Sequence, residues 1–246
     1  MSMRAKGFTL IEMVMVIILL GIVSVTVGSM IRMGSQAFVD VSNRDELISS
    51  ARFSVERLNR ELRAALPNSV RLTDANTCIE LIPSVASTVY TDAPVPPETV
   101  RNTIDIIAFD SASDAKVNPA AYDVAIYPID DVDLYAGSDR IASVQTITEP
   151  TATEWQIELT ANTTFAEDSP TQRLYFIERN SVKYCITGTE LTRNTVLMAE
   201  NLAAGSAFTL DDATHQRNSI VTTLLIFERN NERVTFNNEV QVINVP

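Results

Sequence analysis

The sequence contains few of the residues on which catalytic and metal sites usually depend. Its 246 residues include one histidine, one tryptophan and two cysteines. The zinc-protease pattern H-E-x-x-H, the pair C-x-x-C, the nucleophile elbow G-x-S-x-G and the phosphate loop G-x-x-x-x-G-K-[ST] are all missing. His215 lies in a polar stretch, where we expect it to be solvated. These absences predict a protein that is not an enzyme and that needs no catalytic cofactor.

Basic residues are also scarce. The chain has 19 lysines and arginines against 31 aspartates and glutamates, which gives a formal net charge of −12. Proteins that bind nucleic acids contact the phosphates through clustered lysine and arginine side chains. The composition therefore predicts no nucleic-acid partner.

Proline is missing from the first part of the chain, and charge is nearly so. No proline occurs before Pro67, and residues 8–31, 24 in number, carry one charged side chain, Glu12. A helix of this length would cross about 30 Å of hydrocarbon. Because Arg4 and Lys6 precede it, we expect the N-terminus to stay cytoplasmic and the rest of the chain to cross outward.

Glu12 is the unusual residue of this apolar stretch. An ionised acid at the centre of a bilayer costs roughly 3 kcal/mol on insertion scales, so such a residue usually has a partner. A plain membrane anchor would explain the apolar composition but not this acid. A secretory signal peptide would need an A-x-A cleavage motif, which is missing, and a lipoprotein would need a cysteine close behind the apolar core, whereas the first cysteine is Cys78.

The run Lys6-Gly7-Phe8-Thr9-Leu10-Ile11-Glu12 resembles the class III signal of type IV pilins and pseudopilins. The resemblance implies that a prepilin peptidase cuts after Gly7 and that the new N-terminal residue, Phe8, is methylated. It also implies that Glu12 aligns an incoming subunit, because its carboxylate and the Phe8 amine of a neighbour would each lose a desolvation penalty on pairing. Residues 1–7 are then the leader peptide and residues 8–31 the transmembrane and filament-core helix.

Beyond residue 31 the pattern predicts that the helix continues as an amphipathic segment, residues 32–66, until Pro67 ends it. Apolar residues recur with a spacing of three and four, as one stripe of a helix does: Ile48, Ala51, Val55, Leu58, Leu62 and Ala65. The charged residues between them, among which are Arg57 and Glu61, are predicted to form a solvated face. We expect the stripe to pack on the chain's own sheet; a coiled coil is the alternative.

Residues 67–246 predict a single globular domain rich in strands. Alternating or apolar runs predict strands at residues 70–72, 78–82, 103–110, 122–129, 142–147, 155–160, 173–178, 182–187, 219–229, 233–236 and 240–243. Two hairpins are predicted, one between 173–178 and 182–187 and one between 220–229 and 234–236. The fold class is therefore α+β, a long N-terminal helix packed on a mostly antiparallel sheet, as in pilins.

Two further features of this domain carry site predictions. Cys78 and Cys185 lie in strand-like runs, and in a periplasmic domain they would form one disulfide; two buried free thiols are the alternative. Four acidic residues close together in a loop, with Asp123 nearby, are weak candidates for a calcium site, although solvated loop acids are commoner. The four are Asp130, Asp131, Asp133 and Asp139.

A second resemblance concerns the rest of the chain. Residues 50–70, the run Tyr184-Cys185-Ile186-Thr187-Gly188 and the ending Asn244-Val245-Pro246 are similar to minor pilins of the mannose-sensitive haemagglutinin (MSHA) pilus, the MshO-like group. The resemblance implies a structural minor pilin of a bacterial inner membrane, with a periplasmic domain, that later enters a pilus. Its implied partners are other pilins, prepilin peptidase and an inner-membrane assembly platform. The alternatives are a J-like minor pseudopilin of type II secretion and a tip adhesin.

Overall fold

The structure, a computed structural model, describes residues 8–135, 137, 139–212, 218–230 and 232–243, except for the side chain of Asp133. The chain divides into two compact units, and the boundary lies between Ser49 and Ser50. The described part of the first unit is helical from Leu10 onward, and the second unit contains the last turns of that helix and every described strand.

Helix α1 covers Leu10–Arg63, a length of 54 residues. At a rise of 1.5 Å per residue it is about 80 Å long. The sequence allows a helix of this length because no proline interrupts it. Its ends carry charges that suit the helix dipole, with Glu12 in the first turn and Arg60 and Arg63 in the last.

The helix ends before the proline that was predicted to stop it. The amide of Ala65 donates to the carbonyl of Leu62 at 3.4 Å. This bond reaches three residues back instead of four, so it closes a tighter turn than that of an α-helix. The amide of Leu66 then donates to Ile82 at 2.8 Å, and Ala65 forms a β-bridge with Pro83. The chain therefore leaves the helix because it pairs with the segment that follows the second strand.

The predicted apolar stripe is buried from Ala51 onward, and it is covered by the chain's own strands rather than by a second helix. Its buried members are Ala51, Val55, Leu58, Leu62 and Ala65. Ser54, on the same side of the helix, is also buried, and its hydroxyl donates to the Met198 carbonyl at 2.8 Å. The packing of the helix on antiparallel sheet confirms the predicted α+β class.

The strands and short helices occupy the rest of the second unit. The strands are β1 (Arg71–Thr73), β2 (Cys78–Leu81), β3 (Ser84–Asp92), β4 (Arg101–Ile107), β5 (Tyr122–Ile126), β6 (Ile141–Thr148), β7 (Glu154–Thr163), β8 (Arg173–Glu178), β9 (Val182–Thr187), β10 (Glu190–Arg193), β11 (Val196–Ala199), β12 (Ala207–Asp211), β13 (Ser219–Arg229) and β14 (Glu232–Val242). The short helices are α2 (Asp114–Val117), a 3₁₀ turn (Pro119–Ala121) and α3 (Asp131–Tyr135).

The strands form a five-stranded sheet, a closed six-stranded barrel and a three-stranded sheet. The five-stranded sheet has the order β1-β2-β9-β10-β11, and the three-stranded sheet has the order β12-β13-β14. The barrel has the order β3-β4-β7-β6-β5-β8. All of these pairings are antiparallel, as predicted from the close spacing of the strands.

The barrel encloses an apolar core of its own. Inward side chains from its strands fill it, including Ile104, Ile106, Val124, Val144, Ile157, Leu174 and Phe176. The ring of Phe109 packs against Trp155 and Phe176, each at a centroid distance of 5.1 Å. Because each strand alternates inward and outward residues, a short strand of five or six residues is enough to fill its share of this core.

One predicted hairpin is wrong and the other is confirmed. β8 pairs with β3 and β5 in the barrel, whereas β9 pairs with β2 and β10 in the five-stranded sheet. The connection between them bonds to both sheets: Arg179 donates to Asp123 of β5 at 3.1 Å, and Ser181 donates to Glu80 of β2 at 2.6 Å. The second hairpin, β13 with β14, is present.

Several strand predictions need correction. β3, β10, β11 and β12 were not predicted, and the two predicted strands 233–236 and 240–243 are one continuous strand, β14. β3 reads Ser-Val-Ala-Ser-Thr-Val-Tyr-Thr-Asp, and its small polar residues hide its alternation. β10 and β11 have only four residues each, too few for a period to be visible.

Candidate functional site

The N-terminal segment contains the residues to which the sequence assigned processing and assembly. Phe8 and Thr9 precede α1, and the amide of Met13 donates to the Thr9 carbonyl at 3.3 Å to close the first turn. Glu12 lies in this first turn, where the helix dipole favours an acid. Gly7, the predicted cleavage residue, lies outside the described residues. The roles of Gly7, Phe8 and Glu12 remain predictions.

The N-terminal stretch of α1 presents apolar side chains on every face. The most apolar stretch of α1 has a mean hydropathy of 2.7, and none of it is buried within the chain. Phe8 is 77% exposed, Leu10 84% and Ile11 65%. A helix that is apolar all round needs lipid or other apolar helices around it. This segment therefore meets the length and composition of a membrane span.

Two polar side chains of this segment are satisfied by the helix itself. Thr26 Oγ1 donates to the Ile22 carbonyl at 2.6 Å, and Ser29 Oγ donates to the Thr26 carbonyl at 2.7 Å. Neither hydroxyl then needs a hydrogen bond from water, so both can lie in apolar surroundings. A Cβ added at Gly21 or Gly28 would meet no atom within 4 Å, so the chain itself gives no packing reason for these glycines.

Glu12 is the one charged residue of this segment. The described residues provide it with no hydrogen bond and no ion pair, and its side chain is exposed among apolar neighbours. An acid in such surroundings usually has a partner.

A cluster of charged side chains joins α1 to the five-stranded sheet. The Glu61 carboxylate accepts hydrogen bonds from Arg57 Nε at 3.1 Å, from Arg193 Nε at 2.9 Å and from the Tyr184 hydroxyl at 2.9 Å. Burial raises the pKa of Glu61, but the hydrogen bonds from Arg193, Arg57 and Tyr184 outweigh burial, so its pKa is lowered overall. Tyr184 is fully buried, and burial together with the Glu61 charge raises the pKa of its hydroxyl.

The position of Glu61 corrects the prediction of a solvated face. Its side chain is 17% exposed, and that of Arg193 is 23% exposed, so this ion pair is largely shielded from water. The error arose because helical periodicity identifies the most apolar side of a helix but not the residues at its margin. A charged pair spaced by four, Arg57 with Glu61, was the available signal, but its partners on β9 and β10 could not be read from it.

Cys78 and Cys185 form the predicted disulfide, with a separation of 107 residues in the sequence. They are directly opposite each other on β2 and β9, with a Cα–Cα distance of 4.1 Å. The bond therefore lies inside the five-stranded sheet, on which α1 packs. It joins one strand that precedes the barrel strands in the chain to one that follows them.

The acidic loop is organised around Arg71. Arg71 donates to Glu80 at 2.8 Å, lies 4.0 Å from the Asp131 carboxylate, and stacks 3.5 Å above the ring of Tyr135. Burial and the neighbouring Asp130 raise the pKa of Asp131, whereas a hydrogen bond from Asp131 lowers the pKa of Asp130.

These contacts leave the calcium prediction untested. The side chain of Asp133 and all of His215 lie outside the described residues, and Asp139 is exposed. Within the described part of the chain, one group of acids and cysteines lies close enough to share a metal ion: Asp74, Cys78 and Cys185. Both sulfurs of that group are already joined in the disulfide, so it is not a metal site.

Comparison with known proteins identifies the N-terminal segment. The family described as the prokaryotic N-terminal methylation motif matches residues 2–28. No curated protein and no solved structure matches the chain. The motif is that of type IV pilins and pseudopilins, a structural class whose members interact with other pilins and are processed by a prepilin peptidase. Together with the apolar helix, the match supports a type IV pilin-like protein that is anchored in a membrane.

Proposed function

We propose that the chain is a minor pilin which, after cleavage between Gly7 and Phe8, takes part in starting or building a type IV pilus of the MSHA kind. One observation carries the proposal: the apolar N-terminal stretch of α1, which holds a single acid, Glu12, in the first turn and matches the N-terminal methylation motif. A membrane anchor alone has no use for that acid.

The proposed mechanism pairs Glu12 with the amine of a neighbouring subunit. Cleavage after Gly7 exposes a cationic amine on Phe8 at the start of the apolar helix. In a medium without water, leaving either charge unpaired costs several kcal/mol. Only a subunit in the correct axial register satisfies both charges, so the pair selects the register. The methylated amine keeps its positive charge, so it can still pair with the Glu12 carboxylate.

The same helix explains how a subunit could leave the membrane. Its apolar side chains are exposed in the isolated chain, so they would lose nothing by exchanging lipid for the helices of other subunits. Gly21 and Gly28 are seven residues apart, and a spacing of seven places both on one side of a helix. Their lack of side chains would let a neighbouring helix approach closely there. An inner-membrane assembly platform would drive the transfer.

The soluble part supports a periplasmic location and a minor subunit. A disulfide persists in an oxidising compartment, and Cys78 with Cys185 forms one here. The bond spans 107 positions, whereas major pilins are shorter and usually place a disulfide near the C-terminus. The net charge of −12 suits a soluble face outside the cytoplasm.

Two measurements on the native protein test the proposal. Mass spectrometry should find a mature chain that begins with N-methylated Phe8; any other start refutes the assigned processing. Crosslinking in cells, followed by identification of the neighbours, should capture pilins of the pilus. Capture of secretion pseudopilins instead would replace the pilus assignment with a J-like role in type II secretion, although the processing result would still stand.

A further inference from the structure

β14 has one paired edge and one open edge. Its paired edge follows β13 without a break, from Ser219 opposite Val242 to Arg229 opposite Glu232. Within the described residues, no backbone hydrogen bond joins β14 to any strand other than β13. Along its other side, the strand from Arg233 to Val242 therefore presents amides and carbonyls that pair with no other described strand.

This open edge differs from the other edges of the two open sheets. The strands there are short: β1 has three residues, β11 has four and β12 has five. β11 is further interrupted by a register shift against β10. Natural proteins keep edge strands short or irregular because a long regular edge accepts another strand. β14 contains neither proline nor glycine and has no bulge against β13, so nothing in its backbone prevents such pairing.

The two faces of β14 restrict what can pair with it. The outer face is polar and exposed, and its side chains are Arg233, Thr235, Asn237, Glu239 and Gln241. The inner face is covered or half-covered and includes Val234, Phe236 and Val240, with the ring of Phe236 packed edge-on against Phe227 at 5.9 Å. A strand added here must alternate in the same way to continue both faces.

We propose that β14 is an interface for a second copy of this chain. The two β14 strands pair antiparallel with Phe236 opposite the partner subunit's Phe236, which joins two three-stranded sheets into one of six strands. In this register Arg233 lies opposite the partner subunit's Glu239, and Glu239 lies opposite the partner subunit's Arg233. The two-fold axis thus creates two cross-strand pairs of opposite charge on the exposed face.

The charge pattern selects this register over its neighbours. The two faces continue across the interface only in registers that place outer residues opposite outer residues. A register centred on Arg233 or on Glu239 places like charges opposite each other. A register centred on Thr235 or Asn237 leaves Arg233 opposite an uncharged residue. Only the register centred on Phe236 pairs both charges.

Charge reversal tests the interface on the full chain in detergent micelles. The wild type should show a monomer–dimer equilibrium in sedimentation velocity. Either Arg233→Glu or Glu239→Arg turns both cross-strand pairs into like-charge contacts, and each should weaken the dimer by about tenfold or more. Glu239→Arg is the cleaner variant, because Glu239 lies opposite the neutral Thr222 within its own subunit, whereas Arg233 lies opposite Glu228.

Mixing the two variants provides the decisive measurement. A heterodimer of Arg233→Glu with Glu239→Arg again has two pairs of opposite charge, so the mixture should dimerise although neither variant does alone. Asp211→Arg, on β12 at the far edge of the same sheet, is the matched control and should behave like the wild type.

Three results would overturn the inference: a monomeric wild type, single variants that dimerise like the wild type, or a mixture that stays monomeric. Association through α1 would survive both charge reversals and so would count against β14. The inference does not depend on the proposed function, since the N-terminus of the mature chain is measured separately.

Discussion

Removing the Glu61 carboxylate should destabilise the second unit far more than removing an exposed carboxylate from the same helix. Glu61→Ala leaves the buried hydroxyl of Tyr184 and the largely buried guanidinium of Arg193 without their acceptor. A hydrogen bond to a charged group is worth about 1.5–3 kcal/mol, and breaking a buried pair costs about 3–5 kcal/mol. Because Glu61 retains some exposure, we expect a loss of about 3 kcal/mol in the free energy of unfolding.

Thermal unfolding followed by circular dichroism measures this loss. For a domain of this size, about 3 kcal/mol corresponds to a fall in Tm of roughly 6–12 °C. Glu56→Ala is the matched control, since Glu56 lies on the same helix but is exposed and should change Tm very little. Equal, small effects of the two substitutions would refute the reasoning.

The pH dependence of the same variant supplies a second readout. The pKa of Glu61 is lowered in the folded chain from its ordinary value of 4.5. A lowered pKa gives stability that is fully present above pH 4.5 and is lost as the pH falls through the folded value. The difference in stability between wild type and Glu61→Ala should therefore be largest near neutral pH and should shrink below pH 4.5. A constant difference would show that the carboxylate charge is not what stabilises the contact.

Three further predictions concern processing, assembly and the disulfide. Gly7→Arg should block cleavage, so that the mature-size band never appears on a gel; a normal band would refute the assigned cut before Phe8. Glu12→Ala should insert into the membrane normally but reduce piliation, because the neighbour's amine loses its anion; normal numbers of pili under the electron microscope would contradict the pairing. Replacing Cys78 and Cys185 together by alanine should lower the free energy of unfolding by about 4 kcal/mol in the chain-entropy model, because the bond closes a long loop; a denaturant midpoint equal to that of the oxidised wild type would contradict it.

The sequence predicted those features that depend on local pattern. The apolar segment with Glu12 and the buried helix stripe follow from composition and from helical spacing, and both are present. The pairing of Cys78 with Cys185 needed only the compartment and the count of cysteines. The β13–β14 hairpin was predictable because its two long strands are adjacent in the sequence and joined by a short turn.

The features that failed depend on partners distant in the sequence. β8 and β9 look like a hairpin because three residues separate them, but each has better partners elsewhere: β3 and β5 in the barrel, β2 and β10 in the sheet. A short connection favours pairing of the two strands it joins only if each of them has an edge that no other strand occupies. The contacts of Glu61 failed for a similar reason, since Tyr184 and Arg193 lie more than 120 positions away.

The end of α1 has a mechanical consequence. The chain passes from the five-stranded sheet into the barrel at residues 82–84, and there the amide of Ser84 donates to Ala64 at 3.0 Å while Leu66 donates to Ile82 at 2.8 Å. A pull on the last turns of the helix therefore reaches both sheets at the same point. Tension on the helix is therefore divided between the five-stranded sheet and the barrel instead of falling on either one alone.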